Sequence, residues 1–193
     1  MDFLCADSDG YRDLRSALTD SGTRALFDPT VETVRPFVAD QYGIRAILAV
    51  AGQHLRFEIV REGRIALSGA IDSDLGVPTL AVDDQFAEKL LANSDRCLDR
   101  AVACRDAIDL GFLARANGGI PTAAIIKAEK AYGHDIVRKV GLVLDQLALL
   151  DVRVRCAESL QMTVGEVATA ASALGQAAVA AWPRYVFAAS NPR

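Results

Sequence analysis

The sequence is poor in the features that mark membrane-bound and secreted proteins. No run of apolar residues approaches the roughly 20 that a membrane helix needs. The first residues include Asp2, Asp7 and Asp9, where a signal peptide carries Lys or Arg. We therefore expect a cytoplasmic protein without a membrane segment.

Cysteine is also scarce. The four cysteines, Cys5, Cys97, Cys104 and Cys156, are widely spaced, and none forms a C-x-x-C pair. This spacing indicates neither a zinc site nor a disulfide framework. Because free cysteine is among the most buried residue types, we expect four reduced thiols, mostly inside the protein.

The chain also lacks an excess of positive charge. It has 21 Lys and Arg against 25 Asp and Glu, a net charge of -4. This balance excludes a uniformly basic surface for tight, sequence-independent binding of nucleic acid, and leaves room only for a local basic patch. Apolar residues make up 51% of the chain, which is enough for a folded core.

The first half has the pattern of a small sheet with one helix. Residues 1–5 resemble a strand, and 8–21 show helical spacing of apolar residues. Apolar and polar residues alternate over 43–50 and 54–61, and the turn Ala51-Gly52-Gln53 between these segments predicts a β-hairpin. A weaker strand is predicted over 64–67.

The second half has a helical pattern. Helices are predicted over about 83–94, 98–116, 121–132, 134–150 and 163–181, the last opened by the capping box Thr163-Val164-Gly165-Glu166. We expect Trp182 to pack at the end of this helix. Together the halves predict an α+β fold, with a small mixed sheet in 1–82 packed against a helical domain in 83–193.

Two carboxylates stand on the predicted strands. Glu58 lies between Phe57 and Ile59 and so points away from the face that those two side chains bury, and Asp2 has the same relation to Phe3. Carboxylates converging on one sheet face could hold Mg²⁺, which prefers oxygen ligands. The alternative is a pair of solvated acidic residues on an exposed face.

The first two helices of the second half are dense in charge. Lys89, Asn93 and Arg96 share a helix face, and a cationic stripe there can hold phosphate oxygens. Arg105 and Asp109 follow at i, i+4 spacing in the next helix. The alternative is a salt-bridged pair of surface helices, in which each exposed ion pair contributes about 0.3–0.5 kcal/mol.

These charged residues also form a recognisable motif. A helix of the form D-x-x-x-x-K-x-x-A-x-x-x-R followed by R-D-x-x-D resembles the signature of AbiEii/AbiGii-type nucleotidyltransferases, toxin-related members of the polymerase-β-like superfamily. Its positions are occupied here by Asp84, Lys89, Ala92, Arg96, Arg105, Asp106 and Asp109. The likeness extends from residue 1 to about 115 and is looser in the C-terminal helices.

The resemblance implies roles for particular residues. Asp2 resembles the second aspartate of the family's S-x-D-I-D-F metal motif, and Glu58 the third carboxylate, which makes both expected Mg²⁺ ligands. Lys89 and Asp109 are the expected catalytic residues. Lys89, Asn93 and Arg96 are expected to bind the phosphates of an NTP, whose nucleoside monophosphate is transferred to an acceptor hydroxyl.

The chain departs from the family pattern at its start. A Gly-Ser turn that grips the phosphates and the first metal-binding aspartate would both lie before Met1, and Ser68-Gly69 does not replace them. We therefore expect a family member without its first part and with little activity until that part is restored. The rival hypothesis is a non-catalytic remnant that binds a nucleotide or a partner protein.

The resemblance also implies partners. Toxin members of the family act on RNA such as tRNA and are controlled by an antitoxin protein. The candidate residues for a local basic RNA-binding patch are Arg12, Arg15, Lys127, Lys130, Arg138 and Lys139.

The site can be sketched further. We expect Glu58, Lys89 and Asp109 around one cleft between the sheet and the helices, and Arg105 as the group that orients Asp109. The two histidines, His54 and His134, have no paired nucleophile and are not expected to be catalytic.

Overall fold

The computed structural model describes residues 2–188. The chain forms two compact units, Met1–Leu67 and Ser68–Arg193. The structure thus assigns residues 68–82 to the second unit, whereas the prediction from sequence began that unit at residue 83. Among residues 2–188, no helix is both long and apolar enough to cross a membrane.

The first unit is a mixed five-stranded sheet with one long helix. Its elements are β1 (Asp2–Cys5), α1 (Ser8–Ser21), a 3-10 helix (Gly22–Ala25), β2 (Glu32–Thr33), β3 (Val38–Ala39), β4 (Gly43–Val50) and β5 (Gln53–Arg61). The strand order is β1-β5-β4-β2, and β3 also pairs with β4. β1 runs parallel to β5, and the other pairs are antiparallel.

The predicted hairpin is the centre of this unit. Val50 pairs with Gln53, so the turn consists of Ala51 and Gly52 alone, with φ of 50° and 77°. Positive φ at both positions is the geometry of a type I′ turn, whose twist matches that of the strands. The core is made of one face of the hairpin and the buried side of α1, namely Ile44, Ala46, Leu48, Phe57, Ile59, Tyr11 and Leu18.

In the described part of the chain, the second unit is a short β-hairpin followed by six α-helices and one 3-10 helix. Its elements are β6 (Gly69–Ile71), β7 (Pro78–Leu80), α2 (Val82–Arg96), a 3-10 helix (Arg100–Val102), α3 (Arg105–Asn117), α4 (Thr122–Tyr132), α5 (Asp135–Ala148), α6 (Leu150–Leu160) and α7 (Val164–Ala181). A sheet unit followed by a helical unit confirms the predicted α+β class.

The pair α3 and α7 packs very closely. A Cβ atom built on Gly111 of α3 would lie 2.1 Å from the carbonyl oxygen of Ala170 in α7, so only glycine permits this approach. The capping box that opens α7 is present: the Thr163 hydroxyl accepts from the backbone N–H of Glu166, and the Glu166 carboxylate accepts from that of Thr163. The close approach at Gly111 fixes α3, which carries Arg105, Asp106 and Asp109 of the charged motif.

Two local predictions were wrong, and one helix was missed. The segment 64–67 is not a strand, because the buried Glu62 carboxylate accepts the backbone N–H and guanidinium of Arg64 and turns the chain. The helix expected from residue 98 begins only at Arg105, because Ala103 and Cys104 adopt the left-handed conformation. Helix α6 was not predicted at all.

Candidate functional site

The two candidate metal ligands of the sheet unit, Asp2 and Glu58, lie opposite each other. In the parallel pair of β1 and β5, Asp2 is the register partner of Glu58. Residues in register on neighbouring strands point to the same face, and such strands are about 4.8 Å apart. The parallel register therefore places Asp2 and Glu58 on the same face of the sheet, and their role as metal ligands stays a prediction.

Arginines surround Glu58 on this face. Arg56 Nη2 donates to Glu58 Oε2 at 2.7 Å, and this arginine is largely exposed while the Glu58 side chain is only 18% exposed. Arg45 is the register partner of Glu58 on β4, but its guanidinium pairs with Asp40 at 2.5 Å. Glu58 thus keeps one oxygen, Oε1, outside the hydrogen bond with Arg56.

The donor set fits a magnesium site of the open kind. Mg²⁺ is commonly held by one or two carboxylates, with substrate phosphates and water completing its six ligands. Asp2 and Glu58 supply two carboxylates, and among residues 2–188 no group of three or more His, Cys, Asp or Glu side chains could hold a metal ion. A metal at this face would need water or substrate oxygens to complete its ligands.

In the second unit, the first aspartate of the motif anchors the start of α2. Asp84 is completely buried, and its Oδ2 accepts the backbone N–H and the hydroxyl of Ser68 at 2.5 and 2.8 Å. Lys127 Nζ of α4 forms an ion pair with Oδ1. Burial favours the neutral form of Asp84, but the hydrogen bonds from Lys127 and Ser68 outweigh it and hold its pKa below the usual value.

The remaining charges of the motif form one network between α2 and α3. Arg96 binds the buried carboxylate of Asp106 through two atoms, with Nε to Oδ2 at 2.7 Å and Nη2 to Oδ1 at 3.0 Å. Lys89 Nζ lies 3.3 Å from Asp106 Oδ1 and 2.5 Å from Asp109 Oδ2. Asp106 is 2% exposed, whereas the side chains of Lys89, Arg96 and Asp109 are between 32% and 41% exposed. The network is therefore anchored by a buried anion and has a half-exposed rim.

The titration of Asp106 and Arg96 reflects this pairing. Burial works against ionisation of Asp106, but the hydrogen bonds from Arg96 and the charge of Lys89 more than compensate and lower its pKa. The hydrogen bond with Asp106 likewise raises the pKa of Arg96. The charged form of each residue is the one that the fold stabilises.

An unusual backbone places Asp106 at this position. Ala103 and Cys104, directly before α3, have φ of 52° and 55°, a conformation that residues other than glycine rarely adopt. Asp106 then falls in the first turn of α3, where the helix dipole favours a negative charge. Backbone strain of this kind persists only where the surrounding packing enforces it.

Asn93 differs from the two cations on its helix. It is 1% exposed, and its Nδ2 has no hydrogen-bond partner among the described residues. An unsatisfied buried amide donor costs about 1–3 kcal/mol, which makes Asn93 a candidate for binding a ligand atom.

The expected role of Arg105 was wrong. Arg105 is exposed, and within the described part of the chain it forms no ion pair, while Lys89 is the cation that holds Asp109. The reason is geometric. The side chain of Asp109 faces α2, and Lys89 of that helix forms the ion pair with it. The expectation that Glu58 shares a cleft with Lys89 and Asp109 stays a prediction.

Three of the six candidate basic residues form ion pairs with carboxylates. Lys127 is engaged by Asp84, Arg12 by Asp9 and Arg138 by Asp135. Sequence reasoning missed the partnership of Lys127 with Asp84 because the two residues are 43 positions apart, so no local spacing could reveal it. Arg15 of the first unit and Lys130 of the second unit are exposed.

Other predicted residues can be placed as well. Trp182 is buried and its Nε1 donates to Glu129 at 2.7 Å, which agrees with packing at the end of α7. Cys97, Cys104 and Cys156 are buried, Cys5 is partly buried, and all four are free thiols. Both histidines are exposed, so neither belongs to the network.

Comparison with known proteins agrees with the motif. No curated protein and no solved structure matches the chain significantly. The family described as nucleotidyl transferase AbiEii toxin, type IV TA system, matches residues 1–178. This match includes both carboxylates of the sheet and the whole ion-pair network. The chain belongs to the AbiEii nucleotidyltransferase family of type IV toxin–antitoxin systems.

Proposed function

We propose that this protein transfers a nucleoside monophosphate from an NTP to a hydroxyl group of an RNA acceptor, with tRNA as the first acceptor to test. The observation that supports this best is the network at the motif positions: Lys89 bridges the buried Asp106 and the half-exposed Asp109, with its ammonium group at the rim. A fixed ammonium at an accessible rim is the arrangement that stabilises charge developing on phosphate oxygens.

Lys89 and Arg96 are the proposed phosphate-binding cations. Asp106 holds both, so little conformational entropy remains to be lost when a triphosphate binds beside them. The unpaired Nδ2 of Asn93, on the same helix, is the proposed donor to a further oxygen of the nucleotide.

Asp109 is the proposed acceptor of the proton that the RNA hydroxyl loses. Its carboxylate is 39% exposed and hydrogen-bonded to Lys89. The hydroxyl oxygen forms a bond with the α-phosphorus, and the bond from that phosphorus to the β-phosphate oxygen breaks. Pyrophosphate leaves with the bonding electrons, and Asp109 takes the proton.

Asp2 and Glu58 are the proposed ligands of Mg²⁺. When bound, the metal would neutralise charge on the triphosphate and orient the reacting oxygens. Within the sheet unit, the parallel register keeps the two carboxylates on one face, and Arg56 limits the rotation of Glu58. The proposed role of Asp2 and Glu58 is thus to bind the metal with carboxylates that the sheet has already oriented.

A non-catalytic protein that binds a nucleotide or a partner protein is the second candidate. It is favoured by the charge balance of the network, in which two cations already face two carboxylates. A triphosphate must compete with Asp106 and Asp109 for both cations.

We further propose that the protein acts in the cytoplasm under the control of an antitoxin.

The two candidates are separated by one set of experiments. Total tRNA and Mg²⁺ are incubated with each of the four NTPs labelled at the α-phosphate, using the 193-residue chain and a chain extended by the residues encoded in frame upstream. Nucleotidyl transfer is supported if the wild-type protein labels tRNA and if Lys89→Met and Glu58→Gln each abolish the labelling. Arg105→Met, which removes an exposed cation outside the network, serves as the matched control.

Binding of NTP is measured in parallel by calorimetry. The non-catalytic candidate is correct if neither chain labels tRNA, both chains bind NTP, and Lys89→Met abolishes that binding. Labelling that persists in Lys89→Met would contradict the proposed role of the network.

A further inference from the structure

Helix α7 has a second face that residues 2–188 leave partly uncovered. Over its 18 residues the helix carries one charge, Glu166, and it is otherwise almost entirely small or apolar. A helix that is apolar on all sides is normally buried on all sides. Val167, Ala170 and Leu174 are buried, but the opposite side of the helix is partly exposed.

That exposed side forms the wall of a groove. The groove has a volume of about 600 Å³ and lies among α5, α6 and α7. From α7 it is lined by Ala168, Ala171, Ser172, Gly175, Gln176 and Val179, which recur at helical spacing. These mostly small side chains allow another segment to approach the backbone of α7 closely.

One charged side chain in the groove has no ion-pair partner among the described residues. Arg153 of α6 lines the groove, and its Nε is buried without a hydrogen-bond partner among the described residues. No ion pair joins its guanidinium to any residue in the range 2–188. Burying a guanidinium nitrogen without an acceptor costs free energy. The occupant that fits this groove is therefore an apolar segment that carries a carboxylate.

The chain itself carries such a segment beside the groove. Leu149 and Leu150, at the junction of α5 and α6, are 56% and 62% exposed. Asp151 follows them directly, and its partner is Arg155 at the exposed spacing of i, i+4, an interaction of small energy. The ridge Leu149-Leu150-Asp151 thus offers two apolar side chains and a carboxylate that can be redirected at little cost.

We propose that this groove is the interface of a symmetric dimer, in which the ridge of each copy enters the groove of the other and Asp151 pairs with Arg153 across the interface. A two-fold axis brings the same surface of both copies together. A ridge and a complementary groove that lie side by side on this surface therefore form two equivalent contacts, one from each copy. The self-complementarity of apolar surface and charge is the basis for choosing a second copy as the occupant.

The first test measures the oligomeric state by sedimentation velocity over a range of protein concentrations, without nucleotide, so its outcome is independent of the proposed activity. The wild-type protein is expected to be a dimer with a dissociation constant below about 10 µM. Gly175→Leu fills the groove from within and is expected to weaken the dimer at least about tenfold. A Cβ at Gly175 meets only Leu144 Cδ2, at 3.9 Å, so this variant should fold, which circular dichroism verifies.

Leu150→Asp removes the apolar ridge and should weaken the dimer in the same way. Leu98→Asp is the matched control, because Leu98 is similarly exposed, at 61%, but does not line the groove. A wild-type protein that stays monomeric up to about 100 µM overturns the proposal. So does a dimer that neither Gly175→Leu nor Leu150→Asp weakens.

The charge pair is tested by mixing two variants. Asp151→Arg alone places two arginines together in its homodimer, and Arg153→Asp alone places two carboxylates together, so each variant is expected to be mainly monomeric. In a mixture of the two, every arginine faces a carboxylate, and a heterodimer should form. If the mixture stays monomeric while the wild type is a dimer, the assigned pair is wrong.

Discussion

Asp2 and Glu58 are register partners in the parallel pair β1 and β5, although residues 3–57 lie between them in the sequence. If they bind a divalent cation together, Glu58→Gln should weaken the binding of Mn²⁺ at least about tenfold, because one charged oxygen ligand is lost. Electron paramagnetic resonance of free Mn²⁺ measures the affinity without reference to activity. Glu32→Gln, an exposed change on β2, is the control, and equal affinities in both variants would exclude Glu58 as a ligand.

Arg96 should contribute to the stability of the fold as well as to the proposed binding of phosphate. Arg96→Met leaves Asp106 buried with Lys89 as its remaining partner, and we expect a loss of about 3 kcal/mol in the free energy of unfolding. Arg96→Lys should recover little, because an ammonium group cannot make both hydrogen bonds in the same geometry. Urea denaturation provides the measurement.

The double variant Arg96→Met/Asp106→Leu tests the cause of that loss. If the cost arises from an unpaired buried carboxylate, removing the carboxylate should restore most of the stability. A double variant no more stable than Arg96→Met would show that packing of the arginine side chain, and not charge, accounts for the effect.

Gly111 should tolerate no side chain. Gly111→Ala directs a methyl group at the carbonyl of Ala170 and should destabilise the protein by about 1–3 kcal/mol, as overpacking in a core does. Gly165→Ala is the matched control, since the nearest atom to its Cβ is Thr163 Oγ1 at 3.9 Å. Thermal denaturation should show a lower melting temperature for the first variant alone.

The ion pair of Lys127 with Asp84 predicts a dependence on pH. Because the pKa of Asp84 is lowered in the folded protein, its pairing contributes stability that is complete above about pH 5 and is lost as the pH falls through the folded-state pKa. Lys127→Met removes the strongest hydrogen bond and raises that pKa, so the variant should lose stability at a higher pH than the wild type. Melting temperatures between about pH 3 and pH 7 test this, with the exposed Lys130→Met as control.

The cysteines should differ sharply in reactivity. Burial, with a smaller contribution from neighbouring Cys156, raises the pKa of Cys104 to about 12, and the thiolate is the reactive form. At about pH 8, a thiol reagent should therefore modify the partly buried Cys5 first, and the three buried cysteines only after unfolding. Loss of the fast phase in Cys5→Ser confirms the assignment, and rapid labelling of Cys104 in the native protein would contradict it.

Local patterns predicted most elements but not their partners. The hairpin of β4 and β5 and the capping box of α7 were predicted because alternation and capping are properties of neighbouring residues. The interruption before α3 was missed because Ala103 and Cys104 take a conformation that no local preference favours. Tertiary packing alone imposes it.

The same distinction holds for the candidate site. The spacing of Lys89 and Arg96 indicated a shared helix face, and the structure shows that this face meets Asp106 and Asp109. Sequence spacing could not show that the cations are already paired, because the carboxylates belong to another helix. Nor could it show that Asp84 is held by Lys127, from a third helix.

The buried Asp84 has a consequence for local motion in the helical unit. Its carboxylate joins Ser68, at the start of the unit, to Lys127 on α4, so neither segment can detach without exposing or isolating a buried anion. Opening of either segment should therefore require cooperative unfolding rather than fraying. The amide hydrogen of Ser68 sits next to a surface hairpin, yet it should exchange with solvent as slowly as amides in the centre of α2.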